Sequence, residues 1–359
     1  MSLIDTKDNP IPDGAVSGFL EMNGRVKLRY AHWPAAPGKS CRGTVTILQG
    51  RAEFIEKYYE VVSDLRSRGY AVVAFDWRGQ GGSTRLTRSP ARGHVTNFKR
   101  YQQDLLAILK NVSLATYPGP HFALAHSTGG LILMSCSQRL RTMLDRAVIT
   151  APLLAIAPRD WESDLTAGLR KLLRILTLGL FGRPQLRATR HSTSRLTETL
   201  GFGLARICAW TFLGRLYVPG GNGKLTLPFE ENRQTTDRQR YRRFSKVVEE
   251  HPEIGIGSPT MSWLNAAATA MKSMRQRRAG PEMRLPCLIL GAGRDRIVST
   301  PAIEEFVSRT KNASYIEISG AEHELLMEAD RYRDQVWAAF DAFVPGLEAD
   351  LVLDQAGAV

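Results

Sequence analysis

FALAHSTGG, Phe122 to Gly130, is the stretch on which the fold turns: an apolar run, a serine, then paired glycines. The run reads as a strand and Thr128 to Leu140 as a helix, so Ser127 stands at a strand-to-helix turn. A serine hydroxyl can act as a nucleophile only where substrate reaches it, and a sharp turn at a strand end lifts it clear of a sheet. Such a turn crowds its neighbours and needs small residues two places before and two places after the serine. Ala125 and Gly129 supply them, and Gly130 lets the helix pack closely. Alanine at the first place departs from the GxSxG pattern. Small residues around a serine arise by chance in many chains, so the partners of Ser127 have to decide its role.

Outward from this turn, short apolar runs alternate with helical spacing. FLEMNGRVKLRYAHW (Phe19 to Trp33) reads as two strands around Asn23-Gly24, a dipeptide suited to a tight hairpin because both residues tolerate positive φ. GTVTILQG (Gly43 to Gly50), the helical EKYYEVVSDLRSRG and YAVVAFDWRGQGG follow as strand, helix and strand. Asn97 to Val112 is helical in spacing, and RAVITAPLL (Arg146 to Leu154) is strand-like. From about Ala155 to Arg278 the alternation stops; it resumes with LPCLILGAGRD, the helical TPAIEEFVSRT, the strand ASYIEIS (Ala313 to Ser319) and a last helix near Arg331 to Val344. The expected class is α/β: a mostly parallel central sheet with helices on both faces. Its core spans 1–154 and 279–359, split by an inserted, basic, helical cap over 155–278.

A nucleophilic serine requires a base, and the base a carboxylate that holds its tautomer; in strand-turn-helix sites of this kind the chain order is serine, acid, histidine. Of the seven histidines only His323 lies beyond the last two strands, in the loop SGAEHELL directly after ASYIEIS. Asp295 follows CLILGAG in the same way. Either residue alone reads as an ordinary turn residue. Together with Ser127 they fall at the carboxyl ends of three strands, where open parallel sheets form their sites. His126 adjoins the serine but points away from its side chain, which gives it a structural part. The oxyanion is expected to rest on two backbone amides: Thr128, at the start of the helix, and Arg51, in the loop LQGRAEF after an early strand.

With 359 residues and 43% apolar content the chain can bury a sizeable core. No run of eighteen apolar residues and no signal-peptide pattern occurs, so the expectation is a soluble chain. Cys41, Cys136, Cys208 and Cys287 lie far apart without zinc-type spacing, which speaks against a metal site and fits a reducing cytoplasm. Of the net charge of +13, an excess of eleven falls between Arg159 and Arg278, 21 basic residues against 10 acidic. No nucleic-acid-binding signature accompanies this charge, so nucleic acid is excluded as a partner. A solvated face and an anionic lipid surface remain as readings of it.

Along most of its length the chain resembles α/β-hydrolases of the monoacylglycerol lipase and bacterial lysophospholipase group, serine hydrolases of the S33 type. The likeness lies in ILQGRAEFIEKY, AFDWRGQGGS, RGHVTNFKRYQQDL, LAHSTGG, ITAPLL, GAGRDRIV and GAEHELLME, from about Phe19 to Val344. NRQTTDRQRYRRF and GIGSPTMSWLNAA look like the cap of the lysophospholipase branch. The resemblance implies the α/β-hydrolase fold, a triad of Ser127, Asp295 and His323, oxyanion amides at Arg51 and Thr128, and no metal or organic cofactor. It also implies a lipid ester substrate, a lysophospholipid first, with a monoacylglycerol or a small ester as alternatives. Many relatives carry His-Gly where this chain has Gln49-Gly50. Thr260 and Trp263 are assigned to the acyl channel, with plain cap packing as the other reading of the tryptophan. In DLTAGLRKLLRILTLGLFG, leucines 165, 169, 172, 173, 176 and 180 share one helical face, as a lid over the site or as a contact with anionic membrane. A non-catalytic binding protein on this fold would need a broken triad, and here all three residue types are kept.

Overall fold

Eight strands form one sheet in the order β1-β2-β4-β3-β5-β6-β7-β8 in the computed structural model, which describes residues 2–157 and 201–344. The strands are β1 Val16–Met22, β2 Val26–Trp33, β3 Gly43–Leu48, β4 Tyr70–Phe75, β5 His121–His126, β6 Arg146–Thr150, β7 Cys287–Ala292 and β8 Ala313–Ile318. β1 and β2 pair antiparallel with each other, and β2 with β4; every pairing from β4 to β8 is parallel. β3, β4, β5 and β7 are buried along their whole length, as near-continuous apolar runs covered on both faces require. The edge strands β1 and β8 alternate between covered and exposed residues.

The hairpin is wider than a two-residue turn. Met22 pairs with Val26, leaving Asn23, Gly24 and Arg25 in the loop, and positive φ falls on Gly24 (82°) and Arg25 (65°) rather than on Asn23. The stretch from Asn97 is helical over Lys99–Ile108 and then widens into a π turn over Leu109–Ser113. The helix after Ser127 stops at Ser135, because Cys136 leaves helical geometry (φ −128°, ψ 18°), and Ser137–Leu140 forms a separate turn.

Register aligns the carboxyl ends of the central strands. Leu48 pairs with Ala125, Ala125 with Ile149, Ile149 with Ile289 and Ala292 with Ile318. The loops after β3, β5, β7 and β8 therefore open on one rim of the sheet. Apolar clusters lie on both faces, one around Leu105, Leu131 and Ile149, the other around Val62, Leu290 and Trp337.

Among the described residues between β6 and β7 no strand joins the sheet; helices Arg238–Glu250 and Met261–Met274 are the long elements. Met261–Met274 packs on Thr128–Ser135 and buries Trp263, Ala267 and Met271 in the same cluster as Leu131. This part of the expected cap is thus continuous with the core below. The leucine stripe at 165–180 lies outside the described residues.

Candidate active site

The backbone at Ser127 adopts φ 49° and ψ −111°, a region that costs a non-glycine residue energy and persists only where the surroundings hold it. Here Ser127 N–H donates to Thr150 O on β6 at 3.0 Å, and Ser127 O accepts from the Leu131 and Leu153 N–H groups, both at 3.1 Å. The small neighbours are required by contact. A Cβ on Gly129 would stand 2.3 Å from Leu48 O, and one on Gly130 2.6 Å from Ile149 Cγ2.

The three residues expected to cooperate come together. His323 Nε2 lies 3.1 Å from Ser127 Oγ, and His323 Nδ1 lies 2.7 Å from Asp295 Oδ2. Asp295 is itself fixed, since its Oδ1 accepts from the N–H groups of Ile297 (2.8 Å) and Val298 (2.9 Å). The arrangement presents a carboxylate to one imidazole nitrogen and a hydroxyl to the other, which suits withdrawal of the hydroxyl proton as oxygen attacks an electrophile. Ser127 is only 8% exposed and His323 3%, so the pair lies in a largely water-excluded site.

Two backbone amides are the candidate donors to an oxyanion. Thr128 opens its helix, so its N–H has no carbonyl one turn earlier to bond. In the loop after β3 the Gly50 N–H is taken by Glu53 Oε2, which leaves the next amide, Arg51, as the one the loop can offer. That loop is braced by residues the sequence did not single out. Gln80 Nε2 donates to Gly50 O (2.9 Å) and Glu53 O (3.1 Å), and Trp77 Nε1 donates to Gln49 O (2.9 Å). Gln49, standing where relatives carry histidine, is fully buried and its amide donates to Asp76 Oδ1 at 3.3 Å.

His126 faces away from the serine, into a buried cluster. Its Nδ1 meets Thr150 Oγ1 at 2.9 Å, and its Nε2 lies 3.2 Å from Glu324 Oε2 and 3.6 Å from Glu53 Oε1. Glu53, His126 and Glu324 have the donor atoms of a metal site, but Lys57 Nζ lies between the two carboxylates, 2.9 Å from Glu53 and 2.7 Å from Glu324, and supplies the cation. Burial pushes the His126 imidazole down, but Glu324 and Glu53 outweigh it and hold the group above its ordinary value. Burial would likewise raise Glu324, yet Lys57 and His126 hold it well below the usual carboxylate range. The cluster joins three site segments: the oxyanion loop through Glu53, the serine turn through His126 and the base loop through Glu324. Its only sequence signal was the Glu53–Lys57 spacing of one helical turn.

Thr260 and Trp263 stand at the start of the helix Met261–Met274, in the segment between β6 and β7. The Thr260 hydroxyl caps its helix by accepting from Trp263 N–H (3.3 Å) and meets His94 Nδ1 at 3.0 Å. Trp263 packs edge-on against Phe98 and lies under the Arg51 guanidinium, 5.5 Å from the ring centre. The Arg51 side chain thus reaches across to the segment between β6 and β7, where its Nη2 donates to Gly257 O.

Sheet order, strained serine turn and hydrogen-bonded Ser-His-Asp chain together define an enzyme of the α/β-hydrolase class. The chain belongs to the family described as serine aminopeptidase, S33, whose sequence model matches residues 39–330. It is 28% identical over 327 residues to a probable lysophospholipase L2 of Haemophilus influenzae, covering 91% of each chain. It is 30% identical over 299 residues to lysophospholipase L2 of Escherichia coli K12, covering 80% of this chain and 76% of that one. In fold it is similar to a soluble variant of monoglyceride lipase from Saccharomyces cerevisiae, with a TM-score of 0.65 at 16% identity over 93% of this chain and 95% of the other. A monoacylglycerol lipase of Paleococcus ferrophilus gives 0.61 at 19% identity over 89% and 98%.

Proposed function

We propose that this protein is a serine hydrolase that cleaves the fatty-acyl ester of a one-chain lipid, a lysophospholipid. The observation that carries the reading is the unbroken hydrogen-bond chain from Asp295 through His323 to Ser127. In the proposed cycle His323 Nε2 takes the hydroxyl proton as Ser127 Oγ attacks the ester carbonyl, and the tetrahedral oxyanion rests on the Arg51 and Thr128 N–H groups. His323 then passes the proton to the departing glycerol oxygen. Water, deprotonated in turn by His323, releases the fatty acid from Ser127. Asp295 holds the imidazole tautomer throughout and stabilises the imidazolium. The choice of a lysophospholipid rests on the two relatives named lysophospholipase L2, which this chain matches over most of its length.

The test is turnover of a lysophospholipid, a monoacylglycerol and a short p-nitrophenyl ester by wild type and Ser127→Ala, with fluorophosphonate labelling of both. Wild type is expected to prefer the lysophospholipid. Ser127→Ala is expected to lose about 10⁵- to 10⁶-fold in kcat and to take no label. Full activity in Ser127→Ala, or a label on another residue, would falsify the triad; a preference for short esters sinks the lipid assignment.

Contact with an anionic membrane face belongs to the same proposal. Among the described residues no helix is long and apolar enough to cross a membrane. Ile207, Trp210 and Phe212 are 70%, 83% and 81% exposed, with Arg206 and Arg215 beside them, in the basic segment between β6 and β7. Aromatic side chains at head-group depth with arginines next to them suit a surface-bound protein. Vesicles containing an anionic phospholipid are expected to sediment the protein at low salt and release it at high salt; equal binding to neutral vesicles excludes the charge term.

A further inference from the structure

Arg51 and Arg92 are half-buried cations, each with its Nε shielded from solvent, and no ion pair to a carboxylate is made by either among the described residues. Arg51 spends one donor on Gly257 O and stacks on Trp263, while its Nε is shielded from solvent and bonds nothing. Burial pulls its guanidinium down to about 10, with only Tyr101 and Tyr217 acting the other way. Arg92 lies over the Tyr217 ring at 5.6 Å, and its Nε too is buried without a partner. The two arginines meet the same short ladder, in which Gly93 pairs with Pro259 and Tyr217 with Thr260. A Cβ on Gly93 would stand 3.0 Å from Arg51 Nη2. The surroundings are basic as well: burial lowers the His94 imidazole, and Arg215, Arg100 and Arg92 lower it further.

A guanidinium nitrogen shielded from water without a partner is costly, and the planar fork of donors matches phosphate oxygens. We infer that Arg51 and Arg92 form an anion site that takes the phosphate of the substrate head group beside the oxyanion loop. The inference rests on the proposed ester hydrolysis and adds the feature of the substrate that is recognised. Arg51 links the two ends. In the proposed cycle its backbone N–H faces the ester oxyanion, while its side chain reaches the segment between β6 and β7 through Gly257 O and Trp263.

The experiment compares wild type, Arg51→Met, Arg51→Lys and Arg92→Met on a lysophosphatidylglycerol and a monoacylglycerol with the same acyl chain. Glycerophosphate and inorganic phosphate are added as competitors, and thermal unfolding and fluorophosphonate labelling confirm folded protein. The ratio of kcat/KM, lysophospholipid over monoacylglycerol, is expected to fall about tenfold to a hundredfold in each methionine variant and less in Arg51→Lys, whatever the rate common to both substrates does. Glycerophosphate is expected to inhibit wild type and not Arg51→Met. An unchanged ratio, with both substrates falling together, makes the arginines clamps of the loop and overturns the inference. Inhibition by inorganic phosphate with no change in the ratio assigns the site to free phosphate and overturns the head-group assignment. Wild type that cleaves neither lipid nor a p-nitrophenyl ester fails the hydrolase reading itself, a result separate from all of these.

Discussion

Charge is handled in opposite ways on the sheet side of the site and where its loops meet the segment between β6 and β7. On the sheet side the buried Arg29, Lys57 and Arg78 have their anions. Arg29 Nε lies 2.7 Å from Asp76 Oδ2 and its Nη2 2.7 Å from Glu56 Oε2, with all three side chains inaccessible to solvent. Lys57 has Glu53 and Glu324, and Arg78 has Asp104. Towards the segment between β6 and β7, the half-buried Arg51 and Arg92 are held by a carbonyl and by aromatic rings instead. A paired buried charge fixes the positions of the segments that carry it; an unpaired one keeps its attraction for something not yet bound. The difference separates residues that build the site from residues suited to read a substrate.

The contrast breaks most visibly under denaturant. Arg29→Met leaves Glu56 and Asp76 buried without their cation and is expected to cost about 3–5 kcal/mol of unfolding free energy. Arg51→Met strands no carboxylate, and in the same urea titration it is expected to change stability by less than about 1 kcal/mol or to raise it. Equal losses in the two variants would erase the distinction between paired and unpaired charge.

A smaller effect sharpens it at the junction of the two regions. Glu60, on the helix Tyr59–Ser67, meets Arg240 at 2.7 Å and Arg243 at 2.6 Å, tying the helix Arg238–Glu250 to the sheet side. Burial raises the Glu60 carboxyl, but Arg240, Arg333 and Arg243 outweigh it and hold it at about 2. A folded value below the ordinary one means that the stabilisation is complete above about 4.5 and is lost as pH falls towards 2. Because the group is partly screened by solvent, Glu60→Gln is expected to cost about 1 kcal/mol at neutral pH. The gap in Tm from wild type should close as pH is lowered from 5 to 2; a gap independent of pH removes the ion pair as its cause.

Much of the sheet and the chemical core of the site were legible in the chain. Apolar runs such as TVTIL and FALAH have nowhere to go but a strand covered on both faces, and residues immediately after such runs fall on the rim. That is why Ser127, Asp295 and His323 could be named together although they are far apart in sequence. The breaks at Cys136 and at Leu109–Ser113 left no mark in the helical spacing, since the apolar residues on either side keep to the buried face. The loop braces Gln80, Glu53 and Glu324 were not legible. Each is an ordinary polar residue until packing brings it within hydrogen-bond reach of the oxyanion loop, the serine turn or the base loop.

By itself the sequence determined the alternation of strand and helix, the small residues that a strained serine turn needs, and the order serine, aspartate, histidine. Periodicity and residue size act over a few neighbouring positions, so they can be read locally. Only the tertiary structure decided which charges are neutralised. Arg51 and Arg29 are alike as letters, and Coulomb attraction acts between groups a few ångströms apart wherever they stand in the chain. Folding brings Glu56 and Asp76 to Arg29, and brings to Arg51 a carbonyl and a tryptophan face.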